Sequence, residues 1–520
     1  MGVTPPLIEA NRVWAGCPLR ERLHVVRRFR GLLAEKADWI AKDIAEASAS
    51  RLSGSVGMAE VLTSEVLPLC EAAKFLEREA GYWLKPQRLG WRGRPAWLFG
   101  VSSEIRREPV GTVLIIAAGN YPLFLAGVQA LQALTAGNAV VLKPGQGGTL
   151  AATWLADLLR EAGLPAGLLT ITGEGVADAT AAMDAGVDKV FLTGSASSGR
   201  AVLAKCAETL TPACVELSGC DAVFVLPPEE GGDDSHVALA ARGVAFGLRL
   251  NGSQTCIAPR RVFVDARVAD VFVSRLRREV DAYGPVRVDP VEMKRAAELV
   301  DAAEASSVDS ETGASVSGAE RVCGAWEYGD KRAEPYVLDR VGPGVELLRT
   351  DVFAPVVSVV RVGPPFGATL EESLLGLASL SPYALGASVY GPRKAAEALA
   401  KQVDAGSVCV NDLIVPTADP RLPFGGRGDS GFGVTRGAEG LLEMTRAKTV
   451  SVRKLNQHPH YDPAGEEDAE AFAAYVRVTH GPSVASRLAS VPGLVRGLKA
   501  LSKKPGAEQG NKHDREQHEP

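Results

Sequence analysis

The chain lacks paired cysteines. Its eight cysteines, at 17, 70, 206, 214, 220, 256, 323 and 409, are scattered over 520 residues without a C-x-x-C pair, which argues against a disulfide framework or a zinc ribbon, and no metal site is expected. A basic excess is missing too. Lys and Arg number 57 against 62 Asp and Glu, a net charge of −5, so no general positive field awaits a phosphate backbone and nucleic acid is not expected as a partner. The first twenty residues hold no basic stretch followed by an apolar one. A signal peptide is therefore not expected, and a cytoplasmic location is. No internal repeat is visible. The composition, 46% hydrophobic and 23% charged with 55 glycines, fits a globular chain of more than one domain.

One stretch, Val110 to Leu142, runs without a formal charge and is long enough to raise a membrane-spanning reading. Gly119-Asn-Tyr-Pro and Thr135-Ala-Gly-Asn punctuate it, predicting a strand at 112–117, a helix at about 122–135 and a strand at 139–142. Both strands are apolar throughout, as strands buried on both faces of a parallel sheet are. The alternation continues with a helix at 149–162, strands at 168–172 and 189–193, and a helix at 199–208. Such a βαβ series predicts a doubly wound α/β sheet. Ahead of it, 19–51 and 59–80 repeat apolar residues at helical spacing and predict amphipathic helices covering one side of the sheet. A second α/β region follows from about 221, with strand-like runs at 222–226, 261–264, 356–362, 386–390 and 407–411.

Five short constellations carry chemistry. Cys256 follows a small, polar approach, Leu250-Asn-Gly-Ser-Gln-Thr, although a buried cysteine is more often an inert hydrophobe. Glu216 lies inside an apolar strand-like stretch, where an acid needs a partner or a task. Asn120 joins a buried strand to a helix, where a simple turn role competes. Gly194-Ser195-Ala-Ser-Ser-Gly199 ends a strand and opens a helix, which suits a pyrophosphate at the helix N-terminus but is weak alone. Lys143-Pro-Gly-Gln146 follows another buried strand.

Taken in order, Asn120, Lys143, Gly194, Glu216 and Cys256 make the chain resemble the aldehyde dehydrogenase family. Arg349-Thr-Asp-Val-Phe-Ala-Pro-Val resembles that family's E-x-F-x-P-V element, and Leu422-Pro-Phe-Gly-Gly-Arg-Gly-Asp-Ser-Gly-Phe-Gly its late glycine-rich segment. The Asn-Tyr-Pro and Leu-Pro-Phe-Gly-Gly wording leans towards the branch that includes fatty aldehyde dehydrogenases. The resemblance implies two doubly wound α/β domains and an oligomerisation arm: a cofactor-binding domain at 1–90 and 111–219, a catalytic thiol domain at 220–430, and an arm at 91–110 and 431–454 that would build a homodimer or homotetramer. It also implies NAD or NADP as cofactor, Cys256 as nucleophile, Glu216 as general base and Asn120 as oxyanion donor. Lys143, Gln146, Gly194, Ser195, Gly199, Leu217, Asp351 and Phe353 would contact the cofactor. Tyr121, Leu125, Val128, Thr255, Ile257 and Phe424 would line the path of a small-molecule aldehyde, and their largely apolar surfaces predict a hydrophobic one.

Three departures from the family pattern bear on detail. Gln146 stands where a glutamate usually binds the adenosine ribose, and a neutral amide does not repel a 2′-phosphate, so NADP is expected alongside NAD. Asp351 replaces a glutamate that reaches the nicotinamide ribose, and Leu217-Ser-Gly-Cys replaces Leu-Gly-Gly after Glu216. A coenzyme A-acylating relative and a non-catalytic cofactor- or aldehyde-binding scaffold are the alternatives; the base at 216 and the intact Cys256–Asn120 pair speak against them. Beyond the resemblance, 455–520 forms an extension with an amphipathic helix expected at 491–504. Its basic residues would allow peripheral contact with anionic lipid, whereas docking of the apolar stripe on protein is the favoured reading.

Overall fold

A computed structural model describes residues 5–52, 57–305, 307–308, 315–316, 318–363, 369–455, 458, 461 and 465–501. The uncharged stretch folds as two buried strands, Thr112–Ile116 and Ala139–Lys143, around a helix, Phe124–Ala136, buried along its whole length. Gly137, at φ 101°, ends that helix in the left-handed conformation that glycine tolerates best. No described helix is long and apolar enough to cross a membrane. Within the first sheet the order is 431–432, 213–217, 189–194, 112–116, 139–143, 169–171, all parallel except the short first strand. The order reverses between strands 112–116 and 189–194, and open α/β sheets receive ligands at the carboxyl edge of such a switch point. Asn120, Lys143, Ser195 and Glu216 all sit at that edge or just past it.

The second sheet runs 286–287, 332–339, 356–362, 259–265, 221–225, 386–390, 407–410, with every pairing after the first parallel and strand Glu320–Glu327 paired antiparallel to Arg332–Asp339. The two early helical stretches divide further than their periodicity shows. Residues 19–51 form Leu19–Glu35 and Ala37–Leu52, and 59–80 resolves into Met58–Val61, a π-turn at Leu62–Val66 and Leu67–Leu84. Leu19–Glu35 packs on helices Phe124–Ala136 and Thr149–Glu161, which in turn cover the sheet, so it forms an outer layer.

Contacts divide the chain into a large unit, 1–85 with 107–447, and a small one, 86–106 with 448–520. Both sheets belong to the large unit. Residues 431–447, read from sequence with the arm, belong there as well. Gly431–Phe432 extends the first sheet beside strand Ala213–Leu217, and helix Gly437–Glu443 packs on helices 67–84 and 124–136. The small unit holds a three-stranded sheet, 87–89, 101–109 and 445–453, whose longer strands reach slightly past its boundaries. Its C-terminal part adds helices Glu466–His480, Val484–Ala489 and Val491–Leu501. Gly497 permits the last helix to meet the first, because a Cβ there would lie 2.4 Å from that of Ala471. Val491, Val495 and Leu498 remain exposed; residues 502–504 of the expected helix lie outside the described residues.

Candidate active site

The turn after strand Thr112–Ile116 and the loop before strand Pro259–Asp265 interlock. Asn120 Nδ2 donates to the carbonyl of Gln254 (2.9 Å), Asn251 Nδ2 donates to the carbonyl of Asn120 (2.9 Å), and the hydroxyls of Tyr121 and Thr255 are 2.6 Å apart. One of the two Asn120 amide hydrogens is thereby used and the other is left. Two carboxylates from the segment before helix 67–84 brace this arrangement. Glu65 accepts from the amides of Leu123 and Phe124 where helix 124–136 begins, and Glu60 accepts from the amide of Asn251. The loop carries Cys256 into a partly accessible position, with Ile257 buried against Leu385 and Phe424.

Glu216 lies on strand Ala213–Leu217 and is 3% exposed. Thr435 Oγ1 donates to its Oε2 at 3.4 Å, whereas Oε1 makes no hydrogen bond within the protein. Burial pushes this carboxyl above the usual range, and the Arg436 cation and the Thr435 hydroxyl pull the other way. The Cys256 thiol is pushed well above its ordinary value, first by burial and then by the Glu216 and Asp221 charges, with Arg436 again opposing. These charge effects place Cys256, Glu216 and Arg436 in one electrostatic neighbourhood.

Arg436 gave no signal in the sequence. It is buried, holds φ at 62°, donates from Nη1 to the carbonyl of Thr417 (2.8 Å) and lies over the Phe424 ring at 4.0 Å, while its Nε has no partner within the protein. With Gln132 it supplies the polar part of a small, otherwise apolar cavity that Val128, Phe124, Phe75 and Leu76 help to line. Of the predicted aldehyde contacts, Val128 reaches this cavity, Phe424 stacks on Arg436, Tyr121 and Thr255 pair at the interlocked turn, and Leu125 is buried in helix 124–136.

Lys143, Gln146, Gly194, Ser195, Gly199 and Leu217 lie at or just past the carboxyl ends of the first sheet's strands, whereas Asp351 and Phe353 come from the segment before strand Val356–Val362. Lys143 ends its strand half-buried, and burial lowers its pKa against the opposing pull of Glu174 and Asp178. Gln146 is exposed beside it. Glu174, unmarked in the sequence, accepts from the amides of Gly147 (2.7 Å) and Thr149 (2.9 Å), so a carboxylate does stand one residue from Gln146. Gly145 is needed for a backbone crossing, since a Cβ there would fall 2.2 Å from the Ala118 carbonyl carbon. Gly194 closes its strand, and Ser195 caps helix Ala196–Thr209 by accepting from the amide of Ser198. Gly199 lets that helix approach Leu217, whose side chain would lie 2.7 Å from an added Cβ. Asp351 is buried and bonded to Ser218, its carboxyl raised by burial. The amide of Phe353 points to Glu292 at 3.4 Å. Among the described residues no cluster of His, Cys, Asp and Glu could hold a metal ion.

Comparison with known proteins identifies similar chains. The chain is 30% identical over 470 residues to a succinate-semialdehyde dehydrogenase (NADP+) of Deinococcus radiodurans, covering 88% of this chain and 91% of that protein. It is 29% identical over 483 residues to the 4,4'-diapolycopene aldehyde oxidase of Methylomonas sp, covering 91% and 85%. The crystal structure of a Mycobacterium tuberculosis aldehyde dehydrogenase complexed with NAD+ superposes with a TM-score of 0.72 at 26% identity, over 85% of this chain and 88% of that one. Since the profile of the aldehyde dehydrogenase family matches residues 8–450, and its ordered motifs meet at one sheet edge and one loop, the chain belongs to the aldehyde dehydrogenase family.

Proposed function

We propose that the protein oxidises a hydrophobic aldehyde to the carboxylic acid with NAD or NADP, through Cys256. The observation that carries this reading is the docking of the thiol loop on the Asn120 turn, with Glu216 buried in the same charge field. Cys256 gives up its thiol proton, which Glu216 in the same charge field takes and passes to solvent, and attacks the aldehyde carbon as the thiolate; the oxygen that becomes negative is held by the remaining Asn120 N–H and the Cys256 backbone N–H. Loss of hydride from that adduct leaves a thioester on Cys256. Glu216 then takes a proton from water, which attacks the thioester and releases the acid. Burial raises the Glu216 carboxyl, which makes it a stronger base than an exposed carboxylate.

The donor set at the first sheet's edge fits a dinucleotide. It comprises the Lys143 ammonium, the exposed Gln146 amide and the Ser195 hydroxyl at a helix N-terminus, with Asp351 and Phe353 added from the segment before strand Val356–Val362. When bound there, the cofactor supplies a hydride acceptor. The small unit exposes Trp91, Trp97 and Phe99, which supports its reading as the arm of a homodimer or homotetramer. The test is an aldehyde panel with NAD and NADP, with and without coenzyme A, following NAD(P)H absorbance in wild type and Cys256→Ala. Cofactor reduction without coenzyme A, fastest on long or aromatic aldehydes and lost in Cys256→Ala by about 10⁴-fold or more, is the expected result. Turnover retained in Cys256→Ala contradicts the proposal.

A further inference from the structure

Three successive residues before the thiol, Asn251, Gly252 and Ser253, hold φ at 51°, 61° and 65°. Two of them carry a Cβ, and such residues in the left-handed region persist only where surrounding contacts over-determine them. Asn251 is held by Glu60 and Asn120, and the contacts that hold Ser253 come from Arg260, on strand Pro259–Asp265. Its guanidinium donates from Nη1 to the Ser253 hydroxyl (2.8 Å) and to the carbonyl of Ala354 (2.5 Å), and from Nη2 to the carbonyl of Ser253 (2.6 Å). The Ser253 hydroxyl itself donates to the carbonyl of Ala354 at 3.1 Å, and the side chain is fully buried. Arg260 is 5% exposed, and Asp351 and Glu292 are among the acidic groups that offset the cost of burying its charge.

A buried fork thus joins the left-handed turn that leads to Cys256 with the segment that carries Asp351 and Phe353. Nothing in the reaction uses Arg260 directly. We infer that Arg260 is a positioning residue that makes the thiol turn and segment 351–354 one mechanical unit, so that filling the cofactor site changes the reactivity of Cys256 through the Arg260–Ser253 contact. The inference rests on the proposed function only in taking Asp351 and Phe353 as cofactor contacts. Substitution of arginine by lysine keeps the charge and loses the fork, because one ammonium nitrogen replaces the two that meet Ser253 Oγ with Ala354 on one side and the Ser253 carbonyl on the other.

The experiment is iodoacetamide labelling of Cys256 in the full chain, read by peptide mass spectrometry with and without saturating NAD, and separately with NADP. In wild type the cofactor is expected to change the labelling rate by about fivefold or more, within the usual span of coupling between sites. Arg260→Lys is expected to bring that ratio to about one, and Ser253→Ala to lower it by at least about twofold, with cofactor binding retained by titration. Ser253→Ala loses only a hydroxyl, so it decides the matter if Arg260→Lys fails to fold. An absent cofactor effect in wild type, or the same effect in wild type and the variants, overturns the inference. Labelling needs no turnover, so failure of this coupling and failure of the Cys256 mechanism are read separately.

Discussion

The two walls of the site differ in how fully their polar groups are paired. On the wall made by the thiol turn, Ser253 Oγ bonds both Arg260 and Ala354, and side chains or backbone of Asn120, Tyr121, Asn251, Gln254 and Thr255 bond one another. On the side that carries Glu216 and Arg436, Glu216 Oε1 and Arg436 Nε are buried without a partner in the protein. Leaving such a group unpaired costs about 1–3 kcal/mol, so the second wall is the less stable one. The difference separates frame from chemistry: paired groups fix where the thiol stands, and the groups with spare bonding capacity are those a reacting water or substrate engages.

Asn120 belongs to the frame through one amide hydrogen and to the chemistry through the other, so its removal breaks the comparison most severely. Asn120→Ala is expected to cost about 10²–10³ in kcat, as loss of one oxyanion donor does. A cost below about tenfold would place the oxyanion elsewhere. Removing Arg436 sharpens the comparison from the other wall. Glu216 must be ionised to act as base, so activity rises with pH through its raised pKa; Arg436 opposes that raise for both Glu216 and Cys256. Arg436→Leu is therefore expected to move the acidic limb of the pH–rate profile to higher pH, with a severalfold loss below the limb, and Arg436→Lys to move it less. An unmoved limb contradicts the electrostatic role.

A smaller effect concerns the cofactor edge, where Gln146 leaves room for a 2′-phosphate but Glu174 brings a carboxylate to the adjacent residue. Gln146→Glu is expected to lower kcat/KM with NADP relative to NAD on the order of tenfold, since like charges placed together are unfavourable. Glu174→Gln is expected to shift the ratio the other way by less. Equal response of both cofactors to both substitutions would remove the charge argument.

The legible parts of the molecule were those written locally. Strands 112–116 and 139–143, apolar on both faces up to the closing Lys143, and the apolar run 190–192 of strand 189–194 announce themselves as buried parallel strands. The hairpin 320–327 with 332–339 is not legible in the sequence, because its charged residues, Glu320, Arg321, Glu327, Arg332, Glu334 and Asp339, blur the alternation that marks a half-buried strand. Asn251-Gly252 is a recognisable left-handed pair, but Ser253 in the same conformation is not, because what holds it is the Arg260 fork to Ala354, 94 residues further on. Arg436 was illegible for the same reason. Its meaning lies in Glu216, 220 positions earlier, and in Phe424, which the fold alone brings under its guanidinium.

The central claim, that an acyl group passes through Cys256 and leaves by way of Glu216, is tested most directly by intact-mass measurement of Glu216→Gln after mixing with aldehyde and NAD or NADP. Water attack is then impaired while the thiol remains, so a mass increase equal to one acyl group is expected, located on Cys256 by peptide mapping, with one cofactor reduced per chain. An unmodified chain that turns over at the wild-type rate, or an acyl group on a different cysteine, would contradict the account.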